Sequence, residues 1–328
     1  MLVASSPLRI SLLGGGSDYP EHFKEHGGSV FGFAINSRTY VSALKIDPFL
    51  AGHNFKIAYR KVEEVEHLHQ VEHLPFRIAL EDSGLQNGWE FSVGADLPAF
   101  TGLGSSSSFL VALLALLREL GGAQIHAKGL AIEAFLFERN HLMQKVGLQD
   151  QVFAAHGGVS RIKFSGSANF ELNSLEKSKL SFIERDCLIL STGTKRKAAP
   201  IVEDIAVNAK SHTTELSELS ELSDSGYALA SEGKLNAENL GEMLNISWNL
   251  KKSLSKLTSN IALDEQVTKL RNAGAKGVKL LGAGGGGFLL VVLNPGEKEG
   301  FKQRMGHNLC RDITISDSGV LIQKVGSD

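Results

Sequence analysis

A chain of 328 residues with 42% hydrophobic and 21% charged side chains can build two domains with real cores, which excludes a disordered or fibrous protein. Its 34 basic and 36 acidic residues leave a formal charge of −2 with no Lys/Arg-rich run, which argues against nucleic-acid and polybasic membrane partners; a charged ligand must be met by local groups. The two cysteines, Cys187 and Cys310, lie outside any CxxC spacing, so no disulfide framework or zinc ribbon is expected, and the absence of a basic leader or a long apolar run leads us to expect a soluble, cytoplasmic chain.

In chain order, the alternation at Arg9–Leu13 predicts a strand that runs into LLGGGSDY. Two further strands are expected at 30–44 and 90–97. TGLGSSSS (101–108) then leads into apolar positions 109, 112, 113, 116, 117 and 120, the spacing of one helix face, with Ser105 or Ser106 as N-cap. A helix over about 127–146 follows, then a turn at GLQDQ and a strand at 157–164. The polar, Ser-rich stretch 164–186 is expected to connect two domains. Beyond it come a strand at 187–192 and helices to about 273. One of these, TTELSELSELSDSG (213–226), is read as a solvated helix with Leu216, Leu219 and Leu222 on one stripe. Strands at GVKLL and GFLLVVL, a helix near 297–306 and a last strand at GVLIQKV complete the expectation.

Glycine is over-represented, at 35 residues, and concentrates in LLGGGSDY, TGLGSSSS and LLGAGGGGF. Small residues just before a helix let a phosphate approach unpaired backbone N–H groups at the positive end of the helix dipole. Serine hydroxyls there suit phosphate oxygens or Mg²⁺, which prefers hard oxygen ligands. GLGSSSS is therefore read as a phosphate and metal cradle, against the alternative of a serine-capped helix with a flexible approach. Neither GxxxxGK[ST] nor GxGxxG with a matching acidic residue is present, so ordinary P-loop and Rossmann sites are not expected.

Glu138 shares a helical stripe with Ala131, Phe135 and Leu142, so its carboxylate points to a core or cleft and needs a partner, while Arg139 beside it faces elsewhere. Asp150 follows twelve residues later, in a loop able to carry it into the same cleft. Two such carboxylates can divide the labour, one holding a metal and the other orienting or deprotonating a hydroxyl; surface ion pairing is the alternative for each. Lys195, Arg196 and Lys197 suit a phosphate already on the substrate, or form a solvated charge run.

SPLRISLLGGGSDYPEHF, LPAFTGLGSSSS, Glu138 with GLQDQVFAAHGG, and KLLGAGGGGFLLVV together resemble the GHMP kinase superfamily, in the order of its three motifs. Within it, RISLLGGGSDYPE, QDQxxAAxGG and TGTKRKA are most similar to the kinases of D-glycero-D-manno-heptose 7-phosphate. The resemblance implies a two-domain α+β fold: residues 1–170 with a left-handed β-α-β crossover and residues 171–328 with a ferredoxin-like arrangement, the site lying between them.

It further implies that Gly102, Leu103, Gly104, Ser105, Ser106 and Ser107 grip the ATP phosphates, that Ser106 and Glu138 hold Mg²⁺, and that Asp150 and Arg9 serve catalysis. Asp18, Gly15 and Gly16 would contact the sugar, as would Gly284 and Gly285 of GAGGGG through backbone N–H groups, with Arg196 on the acceptor phosphate. The expected reaction is phosphorylation of the anomeric hydroxyl of heptose 7-phosphate to the 1,7-bisphosphate. The alternatives are a fucose or galactose kinase and a non-catalytic nucleotide- or sugar-binding protein. No nucleic acid or membrane partner is expected, and a homodimer stays open.

Overall fold

The structure, a computed structural model, describes residues 1–99, 101–194 and 199–326. The strands in chain order are β1 (Leu2–Leu13), β2 (Gly28–Lys45), β3 (Phe55–Ala58), β4 (Val62–Val65), β5 (Trp89–Ala95), β6 (Val159–Ser165), β7 (Asn169–Leu175), β8 (Cys187–Ser191), β9 (Gly277–Leu280), β10 (Phe288–Val292), β11 (Cys310–Asp312) and β12 (Leu321–Lys324). They form two sheets, one mixed, in the order β12-β1-β2-β5-β3-β4 with β6 and β7 branching from β2, and one antiparallel, in the order β11-β8-β10-β9. This is the α+β, two-domain fold that the sequence led us to expect.

The mixed sheet branches because β2 is long. Its first half, Gly28–Phe33, pairs with β6, its second half, Thr39–Lys45, with β5, while β1 runs beside it, with register shifts at Pro7/Leu8 and Ser11/Leu13. Proline cannot donate to a ladder, which accounts for the first shift.

One expectation about the middle of the chain is corrected. The connection anticipated over 164–186 contains β7, paired antiparallel to β6 along seven residues, and then the helix Ser181–Asp186; its serines face outward between buried Phe170, Leu180 and Phe182. The final strand β12, expected at GVLIQKV, pairs antiparallel with the start of β1.

Period-two alternation explains how the sheets share a core. Leu8, Ile10 and Leu12 of β1 pack with Cys187 and Ile189 of β8 and Leu290 and Val292 of β10. The intervening Leu188, Leu190, Leu289 and Val291 face the opposite side, against Trp248, Leu263, Leu270 and Phe301. Both faces of the antiparallel sheet are therefore covered. The helix Thr213–Ser231 was read as solvated, but its stripe Leu216 and Leu219 is fully buried and packs with Leu254. Among the described residues, no helix is long and apolar enough to cross a membrane.

Candidate active site

Because Leu8, Ile10 and Leu12 face the shared core, Arg9 and Ser11 of β1 must face the other way. Arg9, 5% exposed, reaches Asp150 in a bidentate pair, Nε to Oδ1 at 2.7 Å and Nη2 to Oδ2 at 2.9 Å, and donates Nη1 to the carbonyl of Gly102 at 2.6 Å. Its backbone N–H binds the carbonyl of Leu103. One arginine thus ties β1, the glycine-serine loop and Asp150 together. The structure places Asp150 in the first turn of the helix Gln149–His156, not in a loop as its GLQDQ context suggested.

The helix of the loop spans Ser105–Leu120, and its N-cap is Gly104 at φ 76°, which corrects the expected serine cap. The left-handed backbone suits glycine, and no side chain caps the first turn, leaving its N–H groups open toward the cleft. The serines are consequently free for other work. Ser108 donates to the carbonyl of Ser6, Ser107 donates to Glu138 at 2.9 Å, and Ser106, exposed at the helix start, lies 3.5 Å from the same carboxylate. Leu103 is fully buried, anchoring the loop to the core.

Glu138 owes its position to a broken helix. The element expected over 127–146 is α-helical only over Ala127–Leu136 and continues as a π-helical turn, Phe137–His141, before ending at Met143 with φ 54°. After it, Gly147 passes so close to Asp18 that a Cβ there would stand 2.0 Å from the carboxylate. Glu138, 1% exposed, also accepts from Gln151, and burial pushes its carboxyl up to about 7, with Asp150 adding to the rise. Arg139 points away, to Glu21 and the carbonyl of Val146. A buried carboxylate beside a serine hydroxyl, with no cationic side chain among its contacts, is a hard-oxygen set that fits Mg²⁺.

Asp18, a charged neighbour of Asp150, is buried, accepting from the N–H of Gly16 at 3.0 Å and of Gln149 at 3.3 Å, and burial raises its pKa. Gly14, at φ 85°, has no room for a side chain, since a Cβ would stand 2.0 Å from the carbonyl of Ser29. A Cβ on Gly15 would approach Ser11 Oγ and the amide of Gln149, and one on Gly16 would approach Leu216 and Leu254. Of the first glycine motif, Gly15 thus faces Ser11 and Gln149, while Gly14 packs on Ser29 and Gly16 on Leu216 and Leu254. Ser11 Oγ and Gln149 Oε1 are buried there without a hydrogen-bond partner among the described residues.

The third motif backs the loop. Gly102 and Gly282 touch so closely that a Cβ on Gly102 would lie 2.4 Å from the carbonyl of Leu281, and Phe288 N–H binds the carbonyl of Thr101. Gly285 and Gly287 give their N–H groups to Thr258 and Thr194, while Gly284 packs on Thr258, so the anticipated presentation of these N–H groups to substrate is corrected for Gly285. Gly102→Ala, which meets both a positive φ of 78° and that backbone contact, is expected to lower stability by about 2–4 kcal/mol in denaturant unfolding.

The sequence reading did not single out Ser11, Gln149, Gln151, Lys251 or Lys279. Lys251 sits in the buried stripe of the helix Ala237–Leu254 with Leu244, Trp248 and Leu254, and Lys279 inside the apolar strand β9, a polar residue at an apolar position in each case. A groove of about 470 Å³ is lined by Tyr59, Arg60, Val93, Asp96, Leu97, Pro98 and Ala99 among others. Lys195, Arg196 and Lys197 lie outside the described residues.

An open helix start held against two buried or half-buried carboxylates and an arginine suits phosphoryl transfer. Residues 69–158 match the GHMP kinases N terminal domain and residues 228–311 the GHMP kinases C terminal domain, together a little over half of the chain. The chain belongs to the GHMP kinase family and is an ATP-dependent phosphotransferase with an alcohol as acceptor. A D-glycero-alpha-D-manno-heptose 7-phosphate kinase of Campylobacter jejuni is 24% identical over 332 residues, covering 96% of each chain. A mevalonate kinase of Pyrococcus abyssi is 28% identical over 328 residues, covering 91% of this chain and 90% of its own. The crystal structure of a D-glycero-D-manno-heptose 1-phosphate kinase from Bacteroides thetaiotaomicron shares the fold, with a TM-score of 0.80 over the whole of both chains at 21% identity.

Proposed function

We propose that this enzyme transfers the terminal phosphoryl group of Mg-ATP to the anomeric hydroxyl of D-glycero-D-manno-heptose 7-phosphate, giving the 1,7-bisphosphate and ADP. The observation that carries the sugar reading is the acceptor space. Ser11 Oγ and Gln149 Oε1, buried without partners beside Asp18, ask for hydroxyl groups, and a polyol supplies several at once. The similarity to the heptose phosphate kinases supports the particular sugar. Residues 1–170 and 171–328 are taken as the two units that enclose the site.

In this reading the groove ending at Pro98 and Ala99 holds the nucleoside, and the N–H groups of Ser105, Ser106 and Ser107 receive the phosphates. Ser106 and Glu138 would hold Mg²⁺, which when bound neutralises charge on the phosphate oxygens. Asp150, fixed by Arg9, orients the acceptor hydroxyl and takes its proton as the new bond forms. Arg9 offsets negative charge on the transferring group. Asp18 fixes the sugar ring by accepting from a neighbouring hydroxyl.

The relatives also include mevalonate kinases at similar identity, so the decisive experiment compares acceptors. Coupled ADP release with Mg-ATP is expected to be fast on the heptose 7-phosphate and at least about tenfold slower, as kcat/KM, on free heptose, fucose, galactose and mevalonate. Fast turnover of mevalonate or a free sugar overturns the heptose assignment. Nucleotide binding without ADP release on any of these compounds would place the acceptor outside the set.

A further inference from the structure

A lysine in the core stripe of a helix is costly unless its ammonium is paired. Lys251 occupies such a place, one turn before Leu254, which packs beside Gly16. It is 7% exposed, and its Nζ donates to the carbonyl of Gly282, its one hydrogen-bond partner among the described residues. No carboxylate forms an ion pair with it there. Lys279 shows the contrast, since its Nζ serves the two carbonyls of Ser11 and Leu12 and plays a structural part in tying β9 to β1.

The surroundings say what is missing. The titratable neighbours of Lys251 are Arg9, Asp18, Asp150 and Lys279, while Asp150 is also the charged neighbour of Glu138. Asp150 is already held bidentately by Arg9, and Asp18 by two backbone N–H groups. Arg9 offsets the charge of Asp150, and Asp18, whose backbone partners carry no charge, stays an acidic neighbour of Lys251 without an ion pair to it. Gly282, which anchors the ammonium, touches Gly102, whose carbonyl anchors Arg9. Two cations therefore stand at neighbouring points of the same glycine contact, on the C-terminal and N-terminal sides of the cleft. Burial and Arg9 lower Lys251 to about 8, so it remains largely charged at neutral pH, with donor capacity to spare.

We propose that Lys251 is a substrate-contacting residue whose ammonium receives a phosphoryl oxygen in the cleft between Gly102 and Asp18. The inference rests on the placement of substrates given above but not on the identity of the acceptor. Two phosphoryl groups can supply that oxygen, the one being transferred and the one the acceptor already carries.

Lys251→Met removes the charge while keeping the chain length, and Lys251→Ala leaves space for an added amine. Both are compared with wild type for kcat, for KM of each acceptor, for the Kd of Mg-ATP and for thermal unfolding. We expect kcat/KM to fall by about 10²-fold in both variants with Tm unchanged or raised, and propylamine to restore part of the loss in Lys251→Ala only. A fall in kcat with both binding constants kept assigns the ammonium to the transferring group. A rise in KM for a phosphorylated acceptor, with a free sugar unaffected, assigns it to the acceptor's phosphate. If both variants keep kcat and both binding constants within about twofold, or lose stability without rescue by amine, Lys251 is a structural lysine and the proposal is wrong. Should wild type prefer an acceptor other than the heptose phosphate, the same comparison is run on that acceptor, so the two readings fail separately.

Discussion

Asp150→Asn is expected to lower turnover by about 10³-fold while the Kd of Mg-ATP stays within about twofold. The asparagine keeps one carbonyl oxygen for Arg9 but turns an amide N–H₂ toward a second guanidinium donor, so the bidentate pair at 2.7 and 2.9 Å becomes a single bond. Proton acceptance from the acceptor hydroxyl disappears with the charge. Arg9 retains the carbonyl of Gly102, and the Asp150 side chain is 24% exposed, so water compensates part of the lost charge; a stability loss of about 1–3 kcal/mol and a cooperative transition are expected. Two other results would change the assignment. Near-normal turnover would remove Asp150 from the chemistry. Lost nucleotide binding would mean that Asp150 acts through Arg9, by keeping Gly102 and the loop in place.

How much of this site was legible in the sequence depended on how local each signal was. Strands 30–44 and 90–97 and the helix face from Phe109 rest on periodicity within one element, and the structure contains them as β2, β5 and Ser105–Leu120. The pairing of Arg9 with Asp150 spans 141 positions, and no local pattern encodes it; the family resemblance brought the two together. Within the Ser-rich stretch 164–186, strand β7 has no clear signal because an edge strand with one exposed face has a weak apolar alternation, and its partner β6 is what orders it.

Glu138 was found by its stripe, although the helix assumed for that stripe is broken at residue 137. A π turn has no periodic signature in sequence, and such turns occur often at functional sites. Lys251 and Lys279 each interrupt an apolar run, but that signal becomes legible only when packing against other elements fixes which face of the helix and strand is buried. The serine cap was a reasonable inference that Gly104 pre-empted, because a left-handed residue starts the helix without a side-chain acceptor.

Glu138→Gln tests the second carboxylate through both stability and activity. The folded protein holds the Glu138 proton up to about pH 7, whereas the unfolded chain releases it near 4.5. Between those values the native state binds the extra proton, so stability falls as pH rises through the window. Above about 7 the metal-free native state carries a fixed penalty of roughly 3 kcal/mol for a buried, ionised carboxylate. Glutamine has no such titration, although it cannot accept from Ser107 and Gln151 as a carboxylate does. The difference in Tm between variant and wild type in metal-free buffer should therefore move in favour of the variant by several degrees from pH 5 to pH 8. A difference that is constant over that range would mean that the hydrogen bonds of Ser107 and Gln151 keep Glu138 ionised throughout. Mg²⁺ with nucleotide should then stabilise wild type at pH 8 and leave the variant nearly unmoved, because the cation offsets the penalty only where the charge exists. Turnover should fall by about 10²–10³-fold. Equal stabilisation of both proteins by Mg²⁺ and nucleotide would place the metal away from Glu138 and leave this carboxylate as an anchor for Ser107 at the helix start.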